Sequence, residues 1–352
     1  MNATPATRNR AVALWLLVCC GLVFAMVVLG GVTRLTGSGL SMVDWRPIMG
    51  VLPPLNEDQW EATFRLYQQT PEFEKVNSHM NVQDFKGIFW LEYLHRLLGR
   101  TIGLAFLLPF LYFSWRGYIA PRQAPKYALM FVLGGLQGLL GWYMVKSGLV
   151  DDPHVSQYRL TAHLVAAFLI YAYMFWVALG LLYGNHYAPR RWYRRSVGLT
   201  ALIALTVVSG GFVAGLKAGL IYNTFPKMGA AWIPYGMFAL EPGWRNFFDN
   251  LVTAQFDHRL LAISTLFLVV IYWAQARYAA FEPRLRRATH VLLALVILQV
   301  ALGIATLLLK VPTALAVTHQ GVALLLFTAA LYLSHGLRHQ AATQAAAALG
   351  NR

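Results

Sequence analysis

Long apolar runs broken by short polar connections dominate the chain. Eight of them are of membrane-spanning length, and four contain no Asp, Glu, Lys, Arg or His: Ala11 to Gly30, Tyr127 to Val145, Ser196 to Leu216 and Val291 to Leu309. Four more carry polar residues near one end: Ile88 to Trp115, Leu160 to Tyr183, Leu251 to Ala276 and Ala314 to Leu337. Runs of about 17–25 apolar residues cross hydrocarbon as helices, because a helix satisfies its own backbone polar groups where water is absent. The pattern predicts an all-α membrane protein with eight transmembrane helices. The ten residues before the first run are too few for a transit peptide, and no small-residue cleavage site follows, so that run is expected to stay as a helix.

The distribution of charge orients these spans. Of 29 Lys and Arg, fifteen fall on the side of the N terminus, from Arg8 and Arg10 through the cluster Arg190, Arg191, Arg194 and Arg195 to Arg338 and Arg352. Glu282 is the one acid there. The other side is nearly balanced, so the formal net charge of +15 is a topological signal and not a nucleic-acid footprint. Both termini are expected on the cytoplasmic face of a bacterial inner membrane, or the matrix face of a mitochondrion. No Walker sequence occurs, which removes nucleotide hydrolysis. Cys19 and Cys20 are adjacent within the first run and supply neither a Cys-x-x-Cys metal pair nor a disulfide framework.

Shifted against itself, the chain repeats. Gly30-Gly31 and Gly39-Leu40 answer to Gly210-Gly211 and Gly219-Leu220, His95-Arg96-Leu97-Leu98 to His258-Arg259-Leu260-Leu261, Gln137 and Gly141 to Gln299 and Gly303, and His163 to His319. Each copy holds four spans, an even number, so both insert in the same direction and are related by an axis along the membrane normal. The expected architecture is two parallel-related four-helix bundles: residues 1–183, with a long outer loop 31–87, and residues 184–352.

His95, His163, His258 and His319 all lie near the outer end of an even-numbered span. A single histidine on an apolar helix is usually a packed, hydrogen-bonded residue, but two at matched positions in each copy point to function, since ionisable groups in hydrocarbon are costly. One turn further on stands a small residue in each case: Gly99, Ala167, Ala262 and Ala323. Zinc or copper asks for three or four convergent ligands, whereas each half offers two imidazoles from separate helices. A pair of axial histidines on one porphyrin iron per half is the simpler solution.

The copies differ where Glu92 precedes His95 by three residues, because the matching position before His258 is Gln255. A carboxylate beside a low-dielectric site acts as a base or steadies positive charge; the structural alternative is a salt bridge to Arg96 or Arg100. The outer loops differ as well. Asn56 to Gln69, with Trp60, Phe64 and Tyr67 at helical spacing, predicts an amphipathic helix lying on the membrane or capping the site. Arg34, Arg46, Lys86, Lys217 and Arg245 stand on the same side as the histidines, either as propionate partners or as hydrated interfacial charges.

These residues resemble a known family. Gly30-Gly31-Val32-Thr33-Arg34-Leu35-Thr36, Ser38-Gly39-Leu40-Ser41-Met42, Glu92-Tyr93-Leu94-His95-Arg96-Leu97-Leu98-Gly99-Arg100, His163, His258-Arg259 and His319 are similar to the haem A synthases, in the branch with a long first loop containing Pro71-Glu72-Phe73. The resemblance implies cytochrome oxidase assembly, with haem b as cofactor on His258 and His319, substrate haem O near His95 and His163, and Glu92 as the catalytic acid. It implies oxidation of the haem O C8 methyl through hydroxylated intermediates to a formyl group, with water as the oxygen source. Haem O synthase and an electron acceptor follow as partners, and a homo-oligomer is compatible with it. Some relatives carry a cysteine pair in the first outer loop; residues 31–87 contain none. The competing reading of the same histidines is a non-catalytic di-haem b cytochrome, and a third is a porphyrin carrier without turnover.

Overall fold

The structure is a computed structural model that describes residues 4–43, 52–148, 153, 155–183 and 190–338. Ten helices run in chain order: α1 Pro5–Leu35, α2 Glu57–Gln68, α3 Val82–Trp115, α4 Ala124–Gly148, α5 Gln157–Leu182, α6 Arg190–Gly215, α7 Asn246–Asp249, α8 Leu251–Ala276, α9 Pro283–Leu308 and α10 Thr313–Gly336. Eight of them, all but α2 and α7, are long and apolar enough to cross a membrane. Local chemistry starts several of these helices. Thr4 caps α1, Asn250 caps α8, and Asn81 with Asp84 forms a reciprocal capping box at α3, so orphan backbone N–H groups find side-chain acceptors.

Helix neighbours close two rings. α1 packs on α3 and α5, and α4 on both of those. In the same way α6 packs on α8 and α10, and α9 on both of those. The rings meet where α1 and α5 touch α10 and where α5 touches α6. Because lipid is as apolar as leucine, close packing and small polar contacts hold such helices together. Tyr171 bonds Thr328 at 2.9 Å, Thr200 bonds Ser334 at 3.0 Å, and the Trp15 indole donates to the Ala105 carbonyl at 2.9 Å. Cys19 and Cys20 are both free and buried on α1.

At the N-terminal ends of α5 and α8 the rings are joined by a polar clamp. Asp249 accepts from Gln157 Nε2 and Tyr158 Oη of α5, both at 2.8 Å, and from Arg245 Nε at 3.0 Å. Gly215, ending α6, lets the clamp close, since a Cβ there would stand 2.6 Å from the Gln157 backbone.

One boundary moves, and the expected amphipathic helix finds its partner. α3 begins at Val82, six residues before the apolar run, and projects beyond it. α2, in the place predicted for an amphipathic helix, docks on this projection: Trp60, Phe64 and Tyr67 bury against Phe85 and Phe89. The apolar face of α2 is thus consumed by protein, and Lys86 pins the pair, reaching both Glu57 oxygens at 3.0 and 3.1 Å with its ammonium over the Trp60 ring.

Candidate haem-binding site

Each of the four histidines rests on a glycine of a neighbouring helix. A Cβ at Gly30 would lie 3.3 Å from His95 Nε2. At Gly141, Gly210 and Gly303 it would lie 3.0, 3.1 and 2.9 Å from Cε1 of His163, His258 and His319. The repeat that matched these glycines in sequence thus matches them in contact: α1, α4, α6 and α9 each lend a bare stretch of backbone to one imidazole. All four histidines are intermediate in exposure, neither fully buried nor fully exposed.

The ring centres of His258 and His319 are 6.4 Å apart with their planes at 85°. A metal–imidazole nitrogen bond of about 2 Å on each side, plus the distance from nitrogen to ring centre, makes about 6 Å for two rings sharing one metal. Among the described residues no three His, Cys, Asp or Glu side chains converge to hold a metal ion. A pair of imidazoles therefore suits a metal whose other ligands come with it, as in a porphyrin. Nδ1 of His163 is buried without a hydrogen-bond partner among the described residues, and Gln137 Nε2 donates to the His163 carbonyl at 2.8 Å, holding α5 against α4.

Glu92 is buried and fully engaged. Oε2 accepts from Ser41 Oγ at 2.7 Å and from the Met42 N–H at 2.8 Å, while Arg96 closes on Oε1. The salt bridge weighed as the structural alternative is present. Arg96 also donates to the Met42 carbonyl at 2.9 Å. In the second copy Gln255 donates to the Tyr222 carbonyl at 3.3 Å, and Arg259 donates to the same carbonyl at 2.8 Å. Tyr222 is the repeat partner of Met42, so both copies hold the same backbone position, one through a carboxylate and one through an amide. The arginines after His95 and His258 are thus loop anchors, a role the sequence reading missed; the superimposed offsets of residues 42 and 222 are the signal that would have found it.

The basic residues divide. Lys86 and Arg245 pair with Glu57 and Asp249. Arg34 ends α1 just beyond Gly30 and makes no ion pair among the described residues. Lys217 adopts a left-handed conformation, φ 55°, at the repeat position of Gly37, φ 65°, so both copies leave their first helix by the same turn. Arg46 lies outside the described residues.

Beyond α2 a second buried carboxyl, Glu72, accepts from the Tyr67 hydroxyl at 3.3 Å, and Asn77 Nδ2 donates to that hydroxyl at 2.7 Å. Burial pushes Glu72 up to about 7, the Tyr67 bond opposes this, and the charge of Glu92 adds to the rise. A carboxyl raised from an ordinary 4.5 binds its proton more tightly when docked than when free. Docking is therefore strongest below pH 4.5 and weakens as pH climbs to about 7, by on the order of 3 kcal/mol. Hydrogen exchange of residues 57–80 should accelerate across that window, and Glu72→Gln should flatten the dependence; an unchanged slope in the variant would remove Glu72 as its cause.

Comparison with known proteins agrees with this geometry. Residues 13–331 match the COX15-CtaA family model, described as cytochrome oxidase assembly protein. The chain is 55% identical over 337 residues to the haem A synthase of Nitrosospira multiformis, covering 94% of this chain and 95% of that protein. It is 52% identical to the haem A synthase of Nitrosomonas eutropha, covering 94% and 95%. The mouse haem A synthase COX15 is 48% identical, with 94% of this chain and 83% of the relative covered. With a bundle of eight apolar helices, four glycine-backed histidines and these matches along nearly its whole length, the chain belongs to the COX15-CtaA family of haem A synthases.

Proposed function

We propose that this membrane oxidoreductase converts haem O into haem A at the histidine pair of the first ring, His95 and His163, with haem b held by His258 and His319 in the second. The observation that carries the division is a difference in charge at equivalent positions: the carboxylate Glu92 beside His95, where His258 has the neutral Gln255. Residues 1–183 form the substrate half and 184–352 the cofactor half. Bound haem b supplies a one-electron redox centre.

Converting a methyl into a formyl group with water as the oxygen source releases four electrons and four protons. Substrate between two imidazoles leaves no open position at its iron for O₂, which favours removal of electrons followed by attack of water. The protein's part is to hold the macrocycle and balance charge. His95 and His163 orient the substrate, and Gly30 and Gly141 give it space. Glu92, held by Ser41, Met42 and Arg96, places a fixed negative group beside the ring where positive charge develops, without rearrangement at the moment of reaction. Ser38 to Met42 is the segment tied to it, so the first outer loop is organised around the reacting face. Arg34, in the last turn of α1 and without an ion pair among the described residues, is the cation that would meet a propionate.

The reading requires a haem O synthase as donor and an external electron acceptor, and a bacterial inner membrane with both termini cytoplasmic, as the arginine asymmetry implies. Extraction and chromatography of the haems in the purified protein test it. Haem b together with haem O or haem A is the expected result; haem b alone in both halves would make the chain an electron-transfer cytochrome.

A further inference from the structure

Ser209 precedes Gly210 on α6, the glycine on which His258 rests. Its hydroxyl donates to the Thr206 carbonyl at 2.8 Å and lies 2.9 Å from Nδ1 of His258. A serine hydroxyl has one proton to give. With that proton on Thr206, Oγ faces the imidazole as an acceptor, so Nδ1 carries the ring proton and Nε2 keeps its lone pair for a ligand. Among the described residues Nδ1 of His163 and of His319 is buried without a hydrogen-bond partner, whereas Nδ1 of His258 meets the Ser209 hydroxyl. The Thr206 hydroxyl extends the polar seam to Thr265 at 3.1 Å.

The first half lacks this seam. The repeat partners of Ser209, Thr206 and Thr265 are Leu29, Met26 and Ile102, none of which carries a hydroxyl. Met26 instead fills the space at Gly99, one turn along from His95. The two halves thus differ behind the ligand as well as beside it. A resident cofactor gains from a ligand whose tautomer and ring angle are preset, because less ordering is needed on binding and an accepted N–H makes the other nitrogen a stronger donor. A substrate that enters and leaves at every turnover is hindered by the same device.

Resting on the reading that both halves bind haem, we propose that Ser209 is a positioning residue that makes the second half the permanent haem site, and that Leu29 in its place leaves the first half exchangeable. The test uses the full chain in lipid nanodiscs with four variants: Ser209→Ala, the isosteric pair Ser209→Thr and Ser209→Val, and His258→Ala as the ligand-free reference. Transfer of haem b to excess apomyoglobin, the low-spin ferric EPR spectrum and the reduction midpoint are read in each. Ala and Val should release haem b about 10–100-fold faster than native, with an upward midpoint shift, while Thr, which keeps the hydroxyl, stays close to native. Val and Thr releasing haem alike, or Ala matching native in both rate and midpoint, would overturn the role of Ser209. Native protein that holds no haem dependent on His258 would overturn the haem-site reading itself, and this proposal with it.

Discussion

Glu92→Gln should lower haem A formation by about 10²–10³-fold while haem b content stays at the native level. The substitution keeps shape and removes charge. In native protein three donors converge on the carboxylate: Ser41 Oγ, the Met42 N–H and the Arg96 guanidinium. An amide cannot accept from all three, since one of its two ends is itself a donor. The arrangement of the second copy shows the outcome, because Gln255 there turns its NH₂ toward the Tyr222 carbonyl. On the proposed reading the variant loses the charge that would steady the oxidised macrocycle, and it loosens the contacts to Ser41 and Met42. Haem O or its alcohol should accumulate in the purified variant, as measured by chromatography of extracted pigments. Native haem A output would strip Glu92 of its role and leave the salt bridge to Arg96 as a purely structural contact.

Replacing the histidines one half at a time separates cofactor from substrate. His258→Ala and His319→Ala should each abolish stable haem b binding and bring haem A output to background. His95→Ala should keep haem b and lose the substrate haem. The pair at 6.4 Å is the basis: on the proposed reading, removing either ring would leave the iron with one protein ligand in place of two. Alanine at these positions leaves the glycine contacts of the other three rings untouched, so the fold is expected to persist. Heat-induced loss of helical ellipticity would register any collapse. Full haem b occupancy in His258→Ala would refute the assignment of the cofactor to the second half. A doubly empty protein from His95→Ala would refute the independence of the two sites.

Much of the site was legible without coordinates. The four histidines, the Glu92/Gln255 exchange and the glycine pairs all stand out once the chain is laid over itself, because apolar spans tolerate few polar residues and each one kept is conspicuous. The glycines were visible as matches but not as contacts: that Gly303 meets His319, and Gly30 meets His95, depends on how α9 faces α10 and α1 faces α3. Lys86 and Arg245 read as free cations because their partners, Glu57 and Asp249, sit on elements whose docking no periodicity reports. The seam through Ser209 was written in the sequence too, but serine on an apolar helix is common, and the 2.9 Å approach to His258 is what distinguishes it.

Composition and order along the chain were enough to read eight apolar helices of membrane-spanning length, an internal repeat and a set of candidate site residues, since hydrocarbon imposes those limits on any sequence that enters it. Tertiary structure decided which helix supplies the bare backbone beneath each imidazole, which charges pair with one another, and which histidine meets a serine hydroxyl at its Nδ1. Those outcomes follow from packing between segments far apart in the chain, where a difference of an ångström separates a ligand from a bystander.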